Sequence, residues 1–120
     1  MTKSNSIRVV ERFGENLLTP EDGDILRALI HDDLSDGLNV VLDFGDVRIV
    51  ASAFLNTAIG RLYADIPAET IKALLHVENL NDIGLFSLSR VVRNSKSYYE
   101  DALFRQAVDA STAALEAREA

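Results

Sequence analysis

The chain has 120 residues, 48% hydrophobic and 26% charged, which fits one folded domain and excludes a disordered chain. It contains no cysteine, so a disulfide framework, a thiolate metal site and a thiol nucleophile are excluded. Its net charge of −7 repels phosphate backbones and disfavours nucleic-acid binding.

In chain order, the polar start Met1–Ser6 leads into Ile7–Val10, a short apolar, β-branched run that predicts a first strand. Residues 13–19 predict a loop. Thr19, Pro20 and Asp22 then stand at the cap, first-turn and capping-box positions of a helix. Ile25, Leu26, Leu29, Ile30 and Leu34 give that helix an apolar stripe, and Asp36-Gly37 ends it with a residue free to take a left-handed backbone.

Val40, Val41, Leu42 and Phe44, interrupted by Asp43, predict a buried strand covered by helices. Val47, Ile49 and Val50 predict a second short extended piece. A helix then begins near Ser52 with Phe54, Leu55, Ala58, Ile59, Leu62 and Tyr63 on one face, and Pro67 closes the region. Lys72–Asn79 predicts another strand. Asn81 or Asp82 caps a helix through Ile83, Phe86, Leu88, Val91 and Val92, with a break expected at Asn94–Ser97. From Tyr98 to about Arg118 the chain is Ala-rich and helix-prone. Such alternation of strands and helices implies parallel pairs joined by right-handed crossovers. One domain is expected over residues 1–120, helical from about residue 82.

The start lacks the apolar stretch of a signal peptide, and no apolar run nears the roughly 18 residues of a membrane span. The expectation is a cytoplasmic protein without membrane contact. No metal is expected: the histidines are His31 and His76, and His76 with Glu78 offers two ligands on one strand face where zinc wants three or four. No phosphate-binding glycine loop, dinucleotide fingerprint or hydrolase elbow occurs, so neither a cofactor nor an enzymatic activity is expected. Arg90, Arg93 and Lys96 form the one basic cluster and are expected near a helix C-terminus, where the helix dipole favours cations.

Two positions stand out. Asp43 interrupts the most apolar run. It either accepts backbone hydrogen bonds in the turn after its strand or is an acid near a phosphoacceptor. Ser52, at a loop-to-helix corner, is an N-cap whose hydroxyl satisfies a backbone donor, a phosphorylation site, or both, since a helix start tolerates added negative charge.

The segment Val40-Val41-Leu42-Asp43-Phe44-Gly45-Asp46-Val47-Arg48-Ile49-Val50-Ala51-Ser52-Ala53-Phe54-Leu55 resembles the STAS domains of anti-sigma factor antagonists, and more closely the STAS-like family of bacterial domains. The resemblance covers about residues 38–95. It implies an α/β fold: a mixed sheet of about four strands, helices packed on one side, and a C-terminal helical extension. In the antagonists the serine opening this helix lies in Asp-Ser-Ser-Gly-Leu-Gly and is phosphorylated by a partner kinase. Here Ser52 and Leu55 match that motif, Ala51 replaces the leading acid, and Phe54 and Asn56 replace the glycines.

By this resemblance the chain is a regulatory protein-interaction module of the partner-switching type. Its partner would be a histidine-kinase-like ATPase or an anti-sigma factor, and Ser52 the phosphorylated residue. Asp43, Asp46, Arg48, Ser52 and Asn56 would contact the partner. A small-ligand or nucleotide-binding sensor of the same fold is the alternative. A homodimer through the small residues Ala107, Ala110, Ala113 and Ala114 is a third reading, against packing of that segment onto its own domain.

Overall fold

A computed structural model describes residues 4–100. Its elements are strand β1 (Ser4–Arg8), helix α1 (Val9–Phe13), strand β2 (Asn16–Leu17), helix α2 (Pro20–Ser35), strand β3 (Asn39–Asp43), strand β4 (Ile49–Val50) and helix α3 (Ser52–Ala58). A 3-10 helix (Gly60–Ala64), helix α4 (Ala68–Leu74), strand β5 (Leu75–Glu78) and helix α5 (Asp82–Glu100) follow.

Ile7–Val10 is divided between two elements. β1 ends at Arg8, and Val9, fully buried, opens the one-turn helix α1. A β-branched run supports a strand by propensity, but here burial of Val9 in the core decides the turn. α2 begins as expected: the Thr19 hydroxyl accepts from the Asp22 N–H at 3.2 Å, with Pro20 at the first position. It ends at Gly37, whose φ of 83° only glycine takes without cost, and the Leu38 N–H returns to the Asp33 carbonyl.

The expected four-stranded mixed sheet is instead two small parallel sheets. β1, β3 and β5 pair in that order, with Ile7 opposite Leu42, and Val40 opposite Leu75. β2 and β4 form a separate pair, Asn16 opposite Ile49 and Leu17 opposite Val50. The division has a local cause. After β3 the chain turns at Gly45–Asp46, with Asp46 at a φ of 67°, and this carries β4 away from the larger sheet.

Alternation puts Ile7, Val40, Leu42, Leu75 and Val77 on one sheet face, toward α2 and α4, which both contact β3 or β5. The opposite face carries Ser6, Asn39, Val41, Asp43, His76 and Glu78. α3 lies between α2 and α5. Leu26, Ile30 and Leu34 of α2, Phe54, Leu55 and Ala58 of α3, and Leu42 and Phe44 share one buried cluster.

The face expected from Phe54 to Tyr63 is buried throughout, although the chain tightens from α3 into the 3-10 helix along it. Lys72–Leu74, expected in a strand, finish α4, so β5 begins at Leu75. α5 runs unbroken through Asn94–Ser97. Ser95 sits where a Cβ on Gly60 would meet its hydroxyl at 2.7 Å, so a small polar residue serves the packing face there. Arg90, Arg93 and Lys96 are exposed along the described part of α5. The Ala-rich stretch after Glu100, with its expected helix, lies outside the described residues. Among the described residues no helix is long and apolar enough to cross a membrane.

Candidate functional site

Asp43 ends β3. Its Oδ1 accepts from the Gly45 N–H at 2.8 Å and from Asn79 Nδ2 at 3.0 Å. These two donors, the Asn79 amide foremost, hold its carboxyl below the ordinary carboxylate range. Of the two readings of Asp43, the strand-end acceptor is the one its geometry carries. Asn79 is itself left-handed, with a φ of 58°, so both ends of this clasp sit at sharp turns.

Asp46 and Arg48 are exposed on the connection to β4. Asp46 pairs with Arg8 at 2.9 Å, an open ion pair of small energetic weight. The backbone of Arg48 is held from both sides: its N–H donates to the Glu15 carbonyl at 2.8 Å, and its carbonyl accepts from Asn81 Nδ2 at 3.2 Å.

Ser52 is the first residue of α3 and is exposed. The N-cap is Ala51, and no side-chain cap bond is made, so the expected capping hydroxyl is corrected: Ser52 stands one residue inside the helix. The cap position is fixed by the chain itself, because the Ala51 N–H donates to the Leu17 carbonyl at 2.8 Å and extends the β2–β4 pairing. Asn56 lies one turn on, also exposed, beside a cleft with Gly60, Arg61, Asn94, Ser95, Tyr98 and Tyr99. Ser52 and Asn56 thus share a helix face, while Asp43, Asp46 and Arg48 lie on the approach to it.

The corner around Ser52 also carries residues that no charge or motif marked. Leu18 is 51% exposed and Ile49 53%, each adjoining the β2–β4 pair that leads to Ser52. α5 starts at the same end, pinned by the bond from Asn81 to Arg48 and capped by Asn81 Oδ1 accepting from the Gly84 N–H at 2.8 Å. On its first turns Ile83 is 80% exposed and Phe86 65%. The sequence places both on one helix with Leu88 and Val91. In the structure Gly84, Leu88, Val91 and Val92 make the packing side, while Ile83 and Phe86 share the outer side with Arg90 and Arg93. Helical phase carries that signal: Phe86 falls in line with Arg90 and Arg93, not with Val91.

A separate groove of about 440 Å³ lies between β5 and α5, lined by Ile59, Tyr63, Ala68, Ile71, Lys72, Leu75, Val77, Leu88, Val92 and Lys96. Its walls are mostly apolar, and the two lysines are exposed.

A family model described as a STAS-like domain of unknown function (DUF4325) matches residues 22–85, just over half of the chain. The chain belongs to this STAS-like family. No curated protein and no solved structure matches it. The STAS-like match runs from the first turn of α2 into the first turns of α5, so it includes Asp43, Asp46, Arg48, Ser52, Asn56 and Ile83.

Proposed function

We propose that this STAS-like domain is a regulatory module that acts by binding another protein rather than by catalysis. Its partner surface is centred on Ser52. The observation that carries the reading is that Ser52 is exposed at an end of the domain where Leu18, Ile49, Ile83 and Phe86 also stand open to solvent. Large apolar side chains ringed by polar groups are what a protein interface buries. Asp46, Arg48 and Asn56 supply the polar rim.

The partner class follows from the resemblance to anti-sigma factor antagonists: a histidine-kinase-like ATPase or an anti-sigma factor, in bacterial partner switching. Phosphorylation of Ser52 would add about −1.5 to −2 charges at neutral pH. The start of a helix accepts negative charge, and the first turn of α3 contains no acidic residue to oppose it. A partner face fitted to a neutral hydroxyl and apolar neighbours would be repelled.

A small-ligand sensor would use the groove beside β5. Among the described residues its polar side chains are two lysines and one tyrosine, few for reading the base and ribose of a nucleotide.

The test is recovery of the tagged chain from its native cells, with the modification state of Ser52 mapped by mass spectrometry. Wild type and Ser52→Ala should co-purify with an ATPase of the histidine-kinase type or an anti-sigma factor. Ser52→Asp and Ile83→Asp should lose it. Equal capture by all four proteins would sink the proposal.

A further inference from the structure

The outer faces of α2 and α5 carry opposite charge around an apolar centre. On α5, Ile83, Phe86, Arg90 and Arg93 follow one another at spacings of three, four and three, and all four are exposed. No acid occurs between Asp82 and Glu100, so neither arginine has a carboxylate one turn away on its own helix. On α2, Glu21, Ile25, Ala28 and Asp32 follow at spacings of four, three and four, and these too are all exposed. That helix holds Glu21, Asp22, Asp24, Asp32 and Asp33, with Arg27 as its one arginine and no lysine. Ile25 is 53% exposed in the middle of the acidic face, and Phe86 stands beside the arginines of the basic one.

Alternate spacings of three and four are those by which one helix lies along another. Phe86 set against Ile25 buries the apolar centres, and arginine set against carboxylate completes the flanks. α3 packs between α2 and α5, and both faces point away from the core, so the two do not meet within one chain. Between two chains they can. An anionic membrane is the poorer match for the basic face, since the net charge of −7 repels the rest of the chain from it.

We propose that the chain self-associates by seating the outer face of α5 of one copy on the outer face of α2 of another. Each copy carries both faces. The contact therefore closes as a twofold dimer where both pairs form at once and runs head to tail where they do not. Ile83 and Phe86 also belong to the proposed partner surface, so a second copy and a regulatory partner compete for them. Self-association is read on the purified chain alone and stands or falls apart from the role of Ser52.

The test is analytical ultracentrifugation of the full-length chain over a concentration series. Wild type should form species of two or more chains, in amounts that fall as salt is raised. Arg90→Glu/Arg93→Glu and Glu21→Arg/Asp32→Arg should each lose the heavier species. Mixing the two variants should restore it, because the reversed faces match again. All four positions are exposed, so both variants should melt close to wild type. Should a charge variant fail to fold, Phe86→Ser and Ile25→Ser, each expected to lose the heavier species, decide in its place. A monomeric wild type would overturn the proposal, and a monomer that binds phosphatidylglycerol vesicles would give the α5 face to a membrane surface instead. Heavier species that persist in the variants, or that mixing does not restore, would overturn it as well.

Discussion

Gly23 of α2 presses against Thr57 of α3, so that a Cβ at position 23 would overlap the Thr57 hydroxyl and approach the Phe54 carbonyl oxygen to 2.6 Å. Thr57 is the one buried polar residue among the described residues, and its hydroxyl lies 3.0 Å from the Pro20 carbonyl, across the same helix pair. The two helices meet at this glycine because nothing larger lets them.

Gly23→Ala should therefore destabilise the protein. Alanine in a helix interior is intrinsically better than glycine by about 1 kcal/mol. Overpacking costs about 1–3 kcal/mol, and here the obstacle includes backbone that moves only if α3 moves. A urea denaturation midpoint below wild type is expected. A midpoint above wild type would mean that α2 and α3 stand further apart than described.

Leu62, in the 3-10 helix, is fully buried, whereas Glu69 on α4 is exposed. Leu62→Ala should cost about 2–5 kcal/mol. Glu69→Ala should change stability by less than about 0.5 kcal/mol. Comparable denaturation midpoints for the two variants would show the phase of this region to be wrong.

His31 bridges two carboxylates: its Nε2 lies 2.8 Å from Asp65 and its Nδ1 3.3 Å from Asp32. The Asp65 contact, then the Asp32 contact, raise its pKa above the ordinary imidazole value of about 6.5. A raised folded-state pKa means that the stabilisation is fully present below the unfolded value. It is lost as pH rises through the folded one. The stability gap between wild type and His31→Gln should thus be widest at mildly acidic pH, while the aspartates are still ionised, and should narrow above neutrality. The pairs are open to solvent, so the gap is small. A gap that stays constant across the pH series would remove the charged imidazole from the account.

Ser52→Asp should melt close to wild type, since the residue is exposed and a carboxylate in a first helical turn is favourable. Ser52→Ala should also melt close to wild type, because no cap bond is lost. Collapse of the Ser52→Asp variant in a thermal scan would place the residue in the interior and end its candidacy as a switch.

Where local chemistry decides the backbone, the sequence was readable. Thr19, Pro20 and Gly37 bound α2 as their side chains require, and Asp43 takes the acceptor role its position suggests. Where distant contacts decide, it was not. β2 is two residues long and exists through its pairing with Ile49–Val50, more than thirty positions on. Ala51 becomes the cap in place of Ser52 because a bond to Leu17 sets the frame of the helix start. Asn94–Ser97 looks like a break by composition, yet the close approach of Gly60 gives Ser95 a place against the fold. The exposure of several large apolar residues was hidden for the same reason. Leu18, Ile49 and Ile83 are ordinary core residue types, and only the assembled fold leaves them outside.

Asn81 uses both halves of one amide: its nitrogen donates to the Arg48 carbonyl, and its oxygen receives the Gly84 N–H. Donor and acceptor are needed at once, about one side-chain length from the main chain. An aspartate would keep the cap and turn a carboxylate oxygen toward a carbonyl, while glutamine would overshoot. The loop before Ser52 and the first turn of α5 are consequently hinged on a single planar group. Any displacement of the Arg48 carbonyl therefore acts on the same group that caps the helix bearing Ile83 and Phe86.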